Sequence, residues 1–275
     1  MHYPQVTALV LGSAPQSNVF GALAGNFIQS IGCARARVTL GLRQGSSSGN
    51  TSAAFVTDAR DSEDTWFGLF VGQDDDERSL FASAAAALAC HGAVSTLSTA
   101  PETGVQQLIE VAHQAITLLE KESVPAGLEL GSNFAGATTR LAGLAVSGCI
   151  GRLSASGFEL IRLGACAVLN LETGSPLIDA DLMLQGMPNR YLAPYQSGFG
   201  LPDPKLRKTD VLVTSPEGPV CACSLQLQEV LLSEEGRHAF EAARAASDWA
   251  LLDSALAATT GTSSCAFLVV DPRAR

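Results

Sequence analysis

A nearly continuous apolar run from Trp66 to Val71, followed at once by a glycine, most constrains how this chain can fold. The run has the length and the aromatic content of a buried β-strand. Gly72 follows where a backbone turn favours a residue without a Cβ atom. The acidic residues Asp74 to Glu77 then precede an alanine-rich stretch, and negative charge there stabilises the first turn of a helix. The stretch therefore predicts a buried strand, a tight turn and a helix.

The composition is that of an ordered protein that binds neither nucleic acid nor membrane. Hydrophobic residues make up 47% of the 275 residues and charged residues 16%, which argues against disorder. The net charge is −10 and the sequence has no basic cluster, so the protein has little to attract the phosphate backbone of a nucleic acid. No apolar run reaches the roughly 18 residues of a membrane helix. The seven cysteines are an odd, scattered set, and no basic leader precedes them, which predicts an intracellular, cytoplasmic protein.

Apolar periodicity predicts further strands and helices in the first half of the chain. Arg37–Leu40 alternates like a strand and stops at Gly41, and a Gly/Ser loop leads to the next strand at Ala53. Glu77–Cys90 and Glu102–Glu122 are predicted helices, the second with apolar residues at three-and-four spacing.

The second half continues with strands, a long loop and a helix. Phe158–Leu169 predicts two strands joined by a turn at Gly164, and Glu172–Lys208 is rich in proline and glycine, which is typical of loops. Ser233–Ala258 predicts a helix, and an apolar strand that ends at Asp271 closes the chain.

These stretches resemble, in the same order, motifs of the PP2C (PPM) family of metal-dependent Ser/Thr protein phosphatases. The strand that ends at Val71-Gly72 resembles the family's FGVFDGHGG segment, and Gly41-Leu42-Arg43 resembles its Gly-x-Arg strand end. The other similar segments are Asn50–Ala53 (an NEDA-like motif), Gly164–Leu169 (VGDSRAVL), Asp210–Gly218 (DxLLLASDG) and Gly261–Asp271 (SxDNITVVVV).

The resemblance implies the whole fold and its boundaries. It spans about residues 35–271 and implies one domain over 1–275. The implied architecture is α+β, an α/β/β/α sandwich in which two antiparallel sheets are flanked by helix pairs. Residues 172–208 correspond to the family's variable flap.

The acidic residues that hold two metal ions in that family are replaced in this sequence, although Gly72 is kept. The positions that correspond to them are Thr51, Ser52, Val71, Pro216 and Ser264. Mg²⁺ and Mn²⁺ require hard oxygen ligands, for which hydroxyl and aliphatic side chains are poor replacements. The resemblance therefore implies a pseudophosphatase without a metal cofactor. Such a protein would act as a regulatory or scaffolding module that binds protein partners, such as a kinase or a phosphoprotein.

An active, divergent phosphatase remains the alternative. A one-residue gap would align Glu217 rather than Pro216 with a family ligand, and Asp74 could add a second carboxylate for Mg²⁺ or Mn²⁺. The run that begins at Asp74 also has the spacing of a helix cap. Arg43 lies near a family arginine that contacts the substrate phosphate. An unrelated α/β fold with strands in this order is the third possibility.

Overall fold

The computed structural model describes residues 9–11, 27–43, 51–59, 62–72, 77–96, 104–123, 146–164, 166–178, 183–184, 187–188, 210–214, 218–248, 250–251, 254 and 265–272. Its strands are β1 Leu9–Leu11, β2 Phe27–Gly32, β3 Arg37–Arg43, β4 Ser52–Asp58, β5 Thr65–Gly72, β6 Val146–Ser154, β7 Gly157–Leu163, β8 Cys166–Asn170, β9 Pro176–Ile178, β10 Met183–Leu184, β11 Met187–Pro188, β12 Asp210–Thr214, β13 Val220–Ser224 and β14 Cys265–Asp271. Its helices are α1 Glu77–Thr96, α2 Val105–Ser123, α3 Leu225–Leu232 and α4 Glu234–Ala246.

Strand β5 shows why a continuous apolar run is needed in this fold. Successive side chains of a strand point to opposite faces. Phe67 and Leu69 therefore enter one apolar layer, while Trp66 and Phe70 enter another on the opposite face. Because both faces are covered, every residue from Thr65 to Phe70 is buried. The predicted strand and helix are confirmed, since β5 ends at Gly72 and α1 begins at Glu77, and the predicted turn between them lies outside the described residues.

The strands form two antiparallel sheets that pack face to face. The first sheet has the order β1-β4-β5-β6-β7-β12, and the second has the order β2-β3-β14-β13-β8-β9. Strands β10 and β11 form a separate two-stranded antiparallel sheet. The last strand, β14, pairs with β3 and β13 in the middle of the second sheet, which ties the two ends of the sequence together.

Three apolar layers hold these elements together. The layer between the sheets includes Leu40, Val56, Leu69, Leu160 and Leu268. Helices α1 and α2 cover the outer face of the first sheet through Ala86, Leu108 and Ile116, which meet Phe55 and Ile150. Helices α3 and α4 cover the second sheet through Leu227, Leu231 and Phe240, which meet Leu169 and Val269. This arrangement confirms the predicted α/β/β/α sandwich. No helix in the described part of the chain is long and apolar enough to cross a lipid bilayer.

Three predicted boundaries are wrong. The helix predicted to end at Cys90 continues to Thr96, and the other two boundaries differ for a local reason. The strand predicted to stop at Gly41 continues to Arg43, because Gly41 lies opposite Phe267 and leaves room for its ring. The helix predicted to run from Ser233 to Ala258 ends at Ala246, where Ser247 adopts a left-handed φ of 51°. The sequence analysis did not predict β2, β13 or α3, and β9, β10 and β11 lie within the stretch 172–208 that it predicted to be a loop.

Candidate functional site at one end of the sandwich

Four of the residues singled out from the sequence meet at one end of the first sheet. Ser52 on β4 lies directly opposite Val71 on β5, and Val71 lies opposite Ser147 on β6. Gly72 donates its backbone N–H to the carbonyl oxygen of Thr51 at 3.2 Å. The two neighbouring strands thus place Thr51, Ser52, Val71 and Gly72 together.

Val71 faces the space between the two sheets. Alternation along β5 places it on the same face as Phe67 and Leu69, and its side chain packs against the layer between the sheets. Ser52 and Ser147, its register partners on either side, are 3% and 0% exposed. We call Ser52, Val71 and Ser147 the neutral row, because it presents an isopropyl group between two hydroxyl groups.

The second sheet ends at the same place. The chain crosses from one sheet to the other between Arg43 and Ser52, and again between Leu163 and Cys166. Cys166 is the register partner of Ser224 on β13, and both residues are buried. The Ser224 hydroxyl oxygen accepts a hydrogen bond from the backbone N–H of Ala266 at 3.3 Å. This hydroxyl group is therefore engaged in holding β13 against β14.

Two thiols meet between the sheets close to this end. Cys149 on β6 and Cys166 on β8 belong to opposite sheets and are both buried. Their side-chain hydrogen bond, together with burial, raises the pKa of the Cys149 thiol well above its usual value. Because the thiolate is the reactive form, the Cys149 thiol is not prepared for nucleophilic catalysis.

A buried arginine that the sequence analysis overlooked also lies between the sheets. Arg162 on β7 is only 3% exposed, and its Nη1 donates to the carbonyl oxygen of Gly164 at 3.0 Å. Its register partners are Cys149 on β6 and Asp210 on β12. The sequence does contain a feature that could have identified it, a single cationic residue inside the apolar strand Phe158–Leu163. A charged residue in such a strand is notable because charged residues are rarely buried without a specific reason.

The remaining candidate residues can be placed only in part. Arg43 ends β3 opposite Cys265, the first residue of β14. The Arg43 side chain, and the whole of Asp74, Pro216, Glu217 and Ser264, lie outside the described residues. Their roles stay predictions.

The described side chains at this end do not fit a Mg²⁺ or Mn²⁺ site. Such ions prefer carboxylate, carbonyl and water oxygens. Val71 offers no ligand atom, and the hydroxyl groups of Ser52 and Ser147 are neutral. Within the part of the chain that is described, no group of three or more His, Cys, Asp or Glu residues is placed to hold a metal ion.

Comparison with known proteins identifies the fold from structure alone. The sequence matches no protein-family model and no curated protein. The Ser/Thr phosphatase PstP/Ppp of Mycobacterium tuberculosis has a TM-score of 0.58 at 11% identity, covering 86% of this chain and 98% of its own. The Ser/Thr phosphatase Stp1 of Staphylococcus aureus has a TM-score of 0.57 at 8% identity, covering 85% and 94%.

A third similar structure is RsbX in complex with magnesium, with a TM-score of 0.51 at 10% identity and coverage of 89% and 98%. At such low identity these similarities show the fold alone. The α/β/β/α layers, the strand order and these neighbours agree that this chain has the PP2C-like fold of metal-dependent Ser/Thr protein phosphatases.

Proposed function

We propose that this chain is a pseudophosphatase, a regulatory or scaffolding module that keeps the PP2C-like fold without metal-dependent phosphatase activity. The observation that carries the proposal is the neutral row of Ser52, Val71 and Ser147 at the end of the first sheet. By resemblance, Val71 and Ser52 stand where the family places acidic metal ligands. Here the Val71 side chain packs against the apolar layer instead.

The chemistry of PP2C-type phosphatases depends on those acids. A pair of divalent cations activates a water molecule and stabilises the charge of the phosphoryl group in the transition state. Without carboxylates, neither cation is held in place. A hydroxyl group cannot replace a carboxylate, because it carries no charge to compensate for the dehydration of a hard cation. The described side chains at this end of the sandwich therefore favour a protein without metal-dependent phosphate hydrolysis.

We infer that the partner is a protein, such as a kinase or a phosphoprotein. The net charge of −10 disfavours nucleic acid. All seven cysteines are free thiols, which supports an intracellular, reducing compartment. We also infer that residues 1–275 act as one domain, since β14 near the end of the chain pairs with β3 near its start.

A calorimetric titration with Mn²⁺, alongside an assay on a phosphoserine peptide, tests this function. We expect no saturable Mn²⁺ binding up to millimolar concentration and no release of phosphate, with an active PP2C-type phosphatase as the positive control. Saturable Mn²⁺ binding together with release of phosphate from the peptide would refute the proposal and favour the divergent phosphatase. In that event, Asp74→Asn and Glu217→Gln should each abolish the turnover, since these residues supply the carboxylates of the alternative.

A further inference from the structure

Strand β2 is an outer strand of the second sheet, and its segment lacks the features that protect such strands from pairing. It pairs with β3 at all six residues from Phe27 to Gly32, in one unbroken register. The sheet order places no described strand on its other side. Folded proteins protect an outer strand with charged side chains, proline, a bulge or a short length. The segment Phe27–Gly32 contains no charged residue and no proline.

The other outer strands each have at least one of these features. Strand β1 is only three residues long, Leu9–Leu11. Strand β9 is equally short, begins with Pro176 and shifts its register against β8 between Val168 and Leu169. Strand β12 carries the charged residue Asp210. Among the outer strands that the structure describes, β2 is therefore the one left open for pairing.

The middle of β2 is accessible, and its residues alternate between the two faces of the sheet. Gln29 and Ser30 are both exposed. Ile31 lies in the layer between the sheets, whereas Ile28 packs against the layer under α3 and α4. Alternation therefore puts Gln29 on the same face as Ile31. Ser30 lies on the other face, where its hydroxyl group shares a hydrogen bond of 2.9 Å with Thr39 Oγ1.

We propose that β2 is a dimerisation edge, at which two copies of this chain pair their β2 strands antiparallel around a two-fold axis at Gln29. An axis perpendicular to the sheet pairs residues of the same face, so the two sheets join into one continuous sheet. Ile28 of one copy then lies opposite Ser30 of the second copy. The two Gln29 amide groups meet on the axis, and each can both donate and accept a hydrogen bond. The Ser30 hydroxyl group is already engaged, which favours an axis at Gln29 over one at Ser30.

The charge of the chain explains why an edge of this composition suits a second copy. Each copy has a net charge of −10, so two copies repel each other at long range. A contact surface without charge adds nothing to that repulsion, and Phe27–Gly32 is such a surface. Only one strand from each copy takes part, so we expect a weak dimer, with a dissociation constant on the order of tens of micromolar. Salt screens the repulsion, so association should strengthen as the ionic strength rises.

Sedimentation velocity on the full chain, over micromolar to millimolar concentrations and at low and high salt, tests this proposal. We expect a monomer–dimer equilibrium whose dissociation constant falls several-fold at high salt. Gln29→Lys puts two like charges on the axis and should weaken the dimer by about tenfold or more. A chain that stays monomeric, a dimer that Gln29→Lys does not weaken, or a dimer that dissociates at high salt would overturn the proposal.

A matched control places the same charge elsewhere on the surface. Gln107 is also an exposed glutamine, but it lies on α2, which covers the first sheet. Gln107→Lys changes the net charge as Gln29→Lys does and should not weaken the dimer. An equal loss of association in both variants would mean that β2 is not the contact.

Cross-linking locates the contact without relying on a loss of association. Directly opposed residues of an antiparallel pair have Cα atoms about 4.5–5.5 Å apart, which is within the range of a disulfide. In a Cys33→Ser background, which removes the partly exposed thiol next to β2, Gln29→Cys should form covalent dimers with glutathione disulfide as the oxidant, and Gln107→Cys should not. Equal yields from the two variants would overturn the proposal. Phosphate release by the chain would contradict the proposed function and leave this inference untouched.

Discussion

Replacing Gly41 by alanine is expected to destabilise the second sheet, because an aromatic ring fills the space that the new methyl group needs. Gly41 on β3 lies directly opposite Phe267 on β14. A Cβ atom built on Gly41 would lie 2.2 Å from both Cε1 and Cζ of that ring. Carbon atoms in contact are ordinarily about 3.5–4.0 Å apart. Either the ring or the strand has to move.

The ring has little freedom to move. Phe267 is 1% exposed, and it makes an edge-to-face contact with Phe240 of α4, with the ring centroids 4.8 Å apart and the planes at 76°. Overpacking of this kind costs about 1–3 kcal/mol of unfolding free energy. At about 2–4 °C of Tm per kcal/mol for a chain of this size, Gly41→Ala should lower the Tm by about 2–12 °C.

Urea denaturation of a double-mutant cycle measures the clash itself. Phe267→Leu removes the ring, so Gly41→Ala should cost at least about 1 kcal/mol less in the Phe267→Leu background than in the unmodified chain. Gly32→Ala on β2 is the matched control, because nothing lies within 4 Å of the Cβ atom that it adds. Additive effects in the cycle, or a Gly41→Ala variant as stable as Gly32→Ala, would refute this reasoning.

Three further substitutions test other parts of the fold. Gly92→Ala in α1 should stabilise the protein by about 1 kcal/mol in urea denaturation, because the position is exposed and open and alanine favours helix; a loss of stability would contradict it. Burial lowers the pKa of His91, so the unfolded chain binds the proton more readily and stability should fall as the pH drops through about 6.5. His91→Gln should reduce the loss of unfolding free energy between pH 8 and pH 5. An unchanged dependence of stability on pH would exclude His91 as the cause of that loss. Thr65→Val should lower the free energy of unfolding by about 1–2 kcal/mol in urea denaturation. The buried Thr65 hydroxyl group donates to Asp58 Oδ1 at 2.7 Å and accepts from the backbone N–H of Arg35 at 3.2 Å. A loss of about 0.5 kcal/mol or less, the range of ordinary surface substitutions, would show that these bonds contribute little.

The strands of the core were predictable because their chemistry is local. The run from Trp66 to Val71 is apolar on both faces, and a strand covered by a sheet on one side and helices on the other needs that composition. The order of such runs also carried the resemblance to the PP2C fold. That order survives at 8–11% identity in the structural neighbours described above, where residue identities no longer do.

Glycine misled the sequence analysis because its meaning depends on a partner strand. Gly41 suggested a strand end, yet it lies inside β3 opposite Phe267. The same pairing recurs in the first sheet, where Gly68 lies opposite Phe55 and Gly151 lies opposite Phe67. In each pair, a Cβ atom on the glycine would come within 2.4 Å of the ring. Register is a long-range property, so a single sequence cannot show which glycine accommodates a ring.

Arg162 was overlooked for a related reason. Sequence comparison with a family draws attention to positions where the family has ligands, and those are the positions at which this chain carries small or apolar residues. A charged side chain can nevertheless enter the space between the sheets from any of several strands. Arg162 enters it from β7, two residues before the turn at Gly164 whose carbonyl oxygen it binds.

The neutral row has a consequence for what stabilises this end of the fold. Clustered carboxylates repel one another unless cations compensate for them, so a fold that keeps such a cluster depends on its metal ions for stability as well as for chemistry. Here Ser52, Val71 and Ser147 carry no charge, and the Val71 side chain adds to the apolar layer between the sheets. The neutral row therefore needs no ion to compensate for clustered charge. The stability of this end then depends on packing and strand pairing, which is what the proposed partner-binding module would require.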